Sequence, residues 1–228
     1  MDIAIITGNI NNYEYYKEFT NIKDYNKIDW YYFTDNNIKS DFWKVININD
    51  IPEIKNINHN KLKIKYIKMN THKLLPKYKF FCWIDSSFTI TNTNLIQEIF
   101  TLIKNNTLIL YIHPSRFKER NIRGEIIRCL KIRCTNKENF KKSLYKQLKI
   151  YLDDKYPDKK GQLFCGGIII KQNNLQINKM MELWYEHNIL YTTRDQISLP
   201  YVFWKTNVYP SLIIREHINL NTLFGKRI

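Results

Sequence analysis

The stretch Phe80-Phe81-Cys82-Trp83-Ile84-Asp85-Ser86-Ser87 decides the fold. Five uncharged, mostly bulky residues in succession describe a strand buried on both faces, and the run stops at a carboxylate followed by two hydroxyls. In an open α/β sheet, ligands gather at the carboxyl ends of such strands. Asp85 therefore has two readings, a residue that caps a turn or a ligand in a site. The segments before it follow the same grammar. Residues 3–7 form an apolar strand followed by the loop Gly8-Asn9-Ile10-Asn11-Asn12-Tyr13. Residues 29–33 form a second strand closed by the turn formers Thr34-Asp35-Asn36-Asn37, and residues 43–48 a third. Residues 61–75 carry Leu62, Tyr66, Met69 and Lys73 at helical spacing until Pro76 stops the helix.

Beyond the opening stretch, residues 94–104 form an amphipathic helix with Leu95, Ile96, Ile99 and Ile103 on one side. Residues 108–112 form a strand ending at His113-Pro114-Ser115-Arg116, and residues 117–156 a polar helical region broken near Thr135-Asn136. Residues 164–171 are a buried strand containing Gly166-Gly167, residues 175–191 and 195–205 are helices, and residues 211–214 are a last strand before a basic tail. With no repeat, linker or composition break, residues 1–228 read as one α/β domain: a mixed, mostly parallel sheet covered by helices, less regular late in the chain.

Composition narrows the function classes less than it first promises. A net charge of +15 suits phosphate, nucleic acid or an anionic membrane surface and does not choose among them. The abundance of Asn, Ile, Lys and Tyr points first to an AT-rich coding genome, that of a large DNA virus, a protist or a bacterium. The N-terminus has no basic leader, and no apolar stretch approaches the roughly 20 residues of a membrane helix. The expectation is a cytoplasmic protein without a transmembrane segment, in host cytoplasm or a virion if viral. Cys82, Cys129, Cys134 and Cys165 include no pair with zinc-finger spacing, and read as buried thiols in a reducing compartment.

A second constellation lies late in the chain, at Thr192-Thr193-Arg194-Asp195-Gln196-Ile197-Ser198-Leu199. Thr193 can cap a helix whose first turn holds Arg194, Asp195 and Gln196, and the positive end of that helix favours an ionised carboxylate. Ordinary capping accounts for Asp195, but less well for Arg194 and Gln196.

Taken together, Lys68-Met69-Asn70-Thr71-His72 before Pro76, the strand reading Trp83-Ile84-Asp85, the segment His113-Pro114-Ser115-Arg116 and the helix opening Arg194-Asp195-Gln196 occur in an order that resembles a known family. The chain looks like a GT-A-type glycosyltransferase, most similar to the plant glycosyltransferase-like proteins linked to pectin and mucilage synthesis, long catalogued as a domain of unknown function. The resemblance implies a nucleotide-sugar donor, a UDP-sugar first, and a glycan or glycoprotein acceptor of a hexosyl- or pentosyltransferase. By analogy Thr7 and the loop after it cradle the nucleoside, Asp35 meets the base or ribose, Lys68 approaches the diphosphate with His72 nearby, and Asp85 takes the place of the Asp-x-Asp motif of the fold. Asp195, flanked by Arg194 and Gln196, is the candidate catalytic carboxylate, and Gly166 and Gly167 let backbone approach the sugar, unless they are packing glycines.

One departure affects the cofactor. Position 87 is Ser where the motif has its second carboxylate. Asp85 with His217 of the C-terminal tail could hold Mn²⁺ or Mg²⁺, and Lys226 or Arg227 could neutralise leaving phosphate without metal. A surface histidine is the plainer reading of His217. Two other functions stand beside the transferase: a nucleic-acid-binding basic protein, for which no RRM, KH or zinc-finger pattern is present and no nucleic acid is expected, and a non-catalytic transferase-like module.

Overall fold

The computed structural model describes residues 2–112, 121–133 and 138–213. Within them seven strands form one sheet: β1 (Ile3–Asn9), β2 (Asp29–Thr34), β3 (Lys44–Asn47), β4 (Phe80–Ile84), β5 (Leu108–Ile112), β6 (Phe164–Gln172) and β7 (Ser211–Ile213). Eight α-helices accompany them: α1 (Pro52–Lys55), α2 (Asn60–Met69), α3 (Thr71–Leu74), α4 (Leu95–Ile103), α5 (Ile122–Arg133), α6 (Glu138–Asp153), α7 (Leu175–Leu190) and α8 (Asp195–Thr206). The strand order is β3-β2-β1-β4-β6-β5-β7. Neighbours are parallel except that β6 runs against both β4 and β5. The mixed, mostly parallel α/β sheet expected from the sequence is therefore present, and its irregularity is confined to the late strand β6.

Period-two alternation splits the core into two layers. Ala4, Ile6, Tyr31, Phe33, Phe81 and Trp83 face one side, where α2, α7 and α8 cover them. Ile3, Ile5, Trp30, Tyr32, Cys82 and Ile84 face the other, against α4 and the aromatic residues Phe19, Phe42 and Trp43. Burial of each such side chain removes apolar area worth about 1.5–3 kcal/mol, so both faces hold the sheet. By the same alternation Asp85 continues the Trp83 side, and Thr7 continues the Ile5 side.

Several boundaries differ from expectation for local reasons. The helix read over residues 61–75 is two, because Asn70 takes a non-helical conformation (φ −103°, ψ 26°) between α2 and α3. His59, to which sequence reading gave no role, caps α2: its Nδ1 accepts from the Lys61 amide at 3.1 Å. β1 runs through Thr7 to Asn9, since the parallel ladder with β2 continues to Asn9 opposite Thr34. The α5 and α6 segments bracket the expected break near Thr135-Asn136, which lies outside the described residues. So do Cys134, His113, Arg116 and the tail from 214 onward, including His217, Lys226 and Arg227. Cys82 and Cys129 are buried, whereas Cys165 is only half-buried.

Candidate functional site

At the end of β4, the two readings of Asp85 turn out to belong to different atoms. Its backbone closes a turn: the carbonyl accepts from Phe88 N at 3.0 Å, and its amide donates to the Gly167 carbonyl at 2.8 Å. The carboxylate does neither. Oδ1 accepts from Trp83 Nε1 at 2.7 Å and faces Lys68 Nζ at 3.5 Å. Asp85 thus caps with its main chain and leaves its charge in the site.

Lys68 is the centre of that charge. It is 1% exposed, an unusual state for a lysine, and its Nζ also pairs with Asp195 Oδ2 at 3.1 Å. Trp83 and Trp184 flank the ammonium with ring centroids at 5.8 and 5.7 Å, so cation–π attraction supplements the ion pairs. One helical turn before it, Lys65 presents its ammonium to Asp195 Oδ1 from the same face of α2. The result is an alternating row, Asp85, Lys68, Asp195, Lys65, drawn from three elements.

Electrostatics follow from that row. Burial pushes the Asp195 carboxyl up, but Lys65 and Lys68 outweigh it and hold the group well below the usual carboxylate range. Its place as the first residue of α8 adds the positive end of the helix. For Lys68, burial pulls down while Asp85 and Asp195 pull harder the other way, so it stays charged. A buried neighbour, Lys171 on β6, has no such compensation: burial, then Lys68, lower it to about 7. Its Nζ donates to the carbonyls of Lys68 and Met69 at 3.2 and 3.1 Å, and so holds the C-terminal turn of α2 from which Lys68 projects.

Gly166 and Gly167 are placed by a β-bulge. The β5–β6 register jumps between Leu110 opposite Ile169 and Tyr111 opposite Cys165, which frees the segment between to bow towards β4. A Cβ on Gly167 would lie 2.8 Å from Phe88 Cε2 and 3.2 Å from Asp85 Oδ2. One on Gly166 would meet Trp184 Cη2 at 3.2 Å and Lys68 Nζ at 3.4 Å. Both glycines therefore exist for close approach to the charged row.

Beside Asp85, on the opposite side of the sheet, a cleft opens at the ends of β1, β2 and β4. Tyr15, Tyr32, Trp43 and Phe88 supply aromatic wall, while Thr7, Lys17, Asp85 and Ser86 supply polar groups. Among the described residues, the Thr7 and Tyr32 hydroxyls and that of Ser87 nearby are buried without a hydrogen-bond partner. A buried hydroxyl left unpaired costs about 1–3 kcal/mol, so three together mark a place built for something else to bind.

Other expected site residues are placed elsewhere. Asp35 takes the Asn11 amide on both oxygens, at 2.9 and 3.1 Å, and braces the left-handed Asn11 and Asn12 (φ 57° and 50°) of the loop above the cleft. His72 pairs with Glu182 of α7 at 3.1 Å, and burial lowers its pKa; no described contact joins it to Asp85. Thr193 does not cap α8, whose N-cap is Arg194 with no side-chain cap. The Arg194 guanidinium instead grips the buried Glu125 of α5, with Nη2 to Oε1 at 2.7 Å and Nε at 3.0 Å. Gln196 is half-buried in the first turn next to Asp195. Lys65, Lys17, Lys171 and Tyr32 were not singled out by sequence reading. For Lys65 a signal existed, its position one turn before Lys68; for the others none did.

A divalent cation finds few ligands among the described residues, which include no group of three His, Cys, Asp or Glu placed to hold one. Asp85 has its Oδ1 committed to Trp83 and shadowed by the Lys68 ammonium, and Ser87 adds only a hydroxyl. The described donor set fits a metal poorly, and His217 lies outside it.

No curated protein matches the sequence significantly. Solved structures with related chain traces are those of mouse xyloside xylosyltransferase 1 (10% identity, TM-score 0.45, 94% of this chain and 85% of that one), a glycosyltransferase involved in glycosylation of the PBCV-1 major capsid (11%, 0.42, 93% and 80%) and core-mannan synthase A from Aspergillus fumigatus in a Mn/GDP form (13%, 0.43, 89% and 69%). No helix among the described residues is long and apolar enough to cross a membrane. The sequence itself is more decisive: residues 20–219, which carry Lys65, Lys68, Asp85 and Asp195, match the model of the TOD1/MUCI70 glycosyltransferase-like domain, and the chain belongs to that family, as the ordered motifs implied.

Proposed function

We propose that this chain transfers a sugar from a nucleotide-sugar donor, a UDP-sugar first, to a glycan or glycoprotein acceptor. The observation that carries the reading is the buried ion-paired row in which Lys68 joins Asp85 to Asp195, beside a cleft whose wall is aromatic and whose hydroxyls are unpaired. In this reading the nucleoside lies in the cleft against Tyr32, with Thr7 and Tyr32 supplying hydrogen bonds. Asp85 and the Gly166-Gly167 backbone face the donor sugar. Asp195 binds sugar hydroxyls and stabilises the cation-like centre as the bond to phosphate lengthens.

The depressed pKa of Asp195 argues against its acting as a base. A carboxylate held ionised by two lysines has little affinity for a proton, and base catalysis is most effective with a pKa near the working pH. Its contribution is therefore electrostatic, and Arg194, engaged by Glu125, positions the start of α8 rather than touching substrate. The described carboxylates fit a divalent cation poorly, so no step is assigned to Mn²⁺ or Mg²⁺ here.

The test is a thermal-shift screen of nucleotide sugars, each with Mn²⁺ and with EDTA, followed by hydrolysis and transfer assays. Binding stabilises by mass action, so even a weak donor registers at high concentration. The expected pattern is a stabilising UDP-sugar whose effect is lost in Asp85→Ala and whose turnover is lost in Asp195→Ala. A panel with no binder and no hydrolysis rejects the reading, and binding without turnover leaves a donor-binding module.

A further inference from the structure

Lys17 stands apart from the other cations of the site. It lies in the loop between β1 and β2, half-buried, and its Nζ donates to the Ser86 carbonyl at 3.1 Å across the mouth of the cleft. No described carboxylate pairs with it, and the adjacent Glu18 is engaged by the Tyr16 and Ser40 hydroxyls. An ammonium has three protons to donate, and one on a neutral carbonyl leaves two and the whole charge.

The contrast with Lys65 and Lys68 sets the argument. Those two cations face two carboxylates, Asp85 and Asp195, so the row they form carries no net charge to offer an anion. Lys17 adds, beside Ser86 and one residue from Asp85, a positive charge that no described carboxylate compensates, over a cleft whose Thr7 and Tyr32 hydroxyls have no described partner. Here, too, Ser87 removes the second carboxylate through which a metal could supply that charge.

We propose that Lys17 binds the phosphate groups of a nucleoside diphosphate held in this cleft, and provides the cation that neutralises the diphosphate as it leaves. The proposal rests on the donor reading above. Lys17 also precedes the family-matched residues 20–219, so the family match does not assign it.

Ligand-observed NMR titrations in EDTA, with UDP, GDP and ADP and their parent nucleosides, test it on wild type, Lys17→Gln and Lys17→Arg. The expected result is that the diphosphate bound most tightly by wild type loses about 10- to 100-fold in affinity in Lys17→Gln, as loss of a charge-assisted hydrogen bond warrants. Its parent nucleoside binds both proteins alike, and Lys17→Arg keeps most of the affinity. Diphosphate binding weakens with salt in wild type and less so in Lys17→Gln. Equal diphosphate affinity in wild type and Lys17→Gln overturns the proposal, as does an equal loss for nucleoside and diphosphate, which makes Lys17 a prop of the Ser86 turn. Wild-type binding that appears only when Mn²⁺ is added also overturns it, and leaves the donor reading standing. If wild type binds no nucleotide with or without Mn²⁺, the donor reading itself has failed.

Discussion

On one side of Asp85 lies a row of four charges with every member paired; on the other, a cleft whose Thr7 and Tyr32 hydroxyls find no partner among the described residues. The two regions share that one residue and are built on opposite principles. Lys68 is 1% exposed and held by two carboxylates and two indoles, so its geometry is set before any ligand arrives. The cleft leaves Thr7 and Tyr32, with Ser87 nearby, unsatisfied among the described residues, a cost the fold carries in the absence of ligand. A satisfied buried network is rigid and breaks expensively, whereas an unsatisfied one is where a ligand gains affinity.

The sharpest way to break the comparison is Lys68→Met. Removing the shared cation leaves Asp85 with Trp83 alone and Asp195 with Lys65 alone, and is expected to cost about 3–5 kcal/mol in urea denaturation. A loss below about 1 kcal/mol would mean that the row is not dry.

The acid limb of stability comes next. Asp195 has a folded pKa depressed below its unfolded value near 4, so its contribution is complete above about pH 4 and is lost as pH falls towards the folded pKa. Asp195→Asn should remove about 2 kcal/mol of stability difference between neutral pH and pH 2, read from melts across that range. An unchanged acid limb would place the carboxylate in solvent.

Gly167→Ala probes the wall between the two regions. Its Cβ would press on Phe88 and on Asp85 from the bulge, at an expected cost of about 1–2 kcal/mol in the same denaturation assay, with weaker nucleotide binding. Gly166→Ala, whose closest contact is the 3.2 Å one to Trp184, should cost less. The smallest effect sharpens the comparison most. Tyr32→Phe removes a buried hydroxyl that makes no well-formed hydrogen bond among the described residues, although the Asn9 side chain is close, and should leave the free protein unchanged or more stable by up to about 1 kcal/mol while reducing UDP affinity. Destabilisation of the free protein would show that the hydroxyl is bonded after all.

How much of this was legible beforehand differs by residue. The strand ending at Asp85, the helix opening at Asp195 and the two-faced sheet follow from apolar runs and periodicity, which are local properties. Arg194 was legible as a polar residue at a helix start, but its partner Glu125 lies 69 residues earlier, and no local pattern couples them. His72 matched the family pattern, yet its described partner is Glu182 of α7, because α3 breaks from α2 at Asn70 and seats against that helix.

The sequence by itself determined an α/β chain of this family, with a carboxylate at the end of a buried strand and another at the start of a late helix. Only the tertiary structure decided that Lys68 joins those two, reaching Asp195 across 127 residues of chain, that Lys65 and not Arg194 is the second cation on Asp195, and that Lys17 has no carboxylate partner among the described residues. The reason is physical. Periodicity and turn chemistry act over a few residues, whereas charge pairing depends on strand order, on the bulge at Gly166-Gly167 and on how α2 and α8 seat over the sheet, none of which is written within one segment.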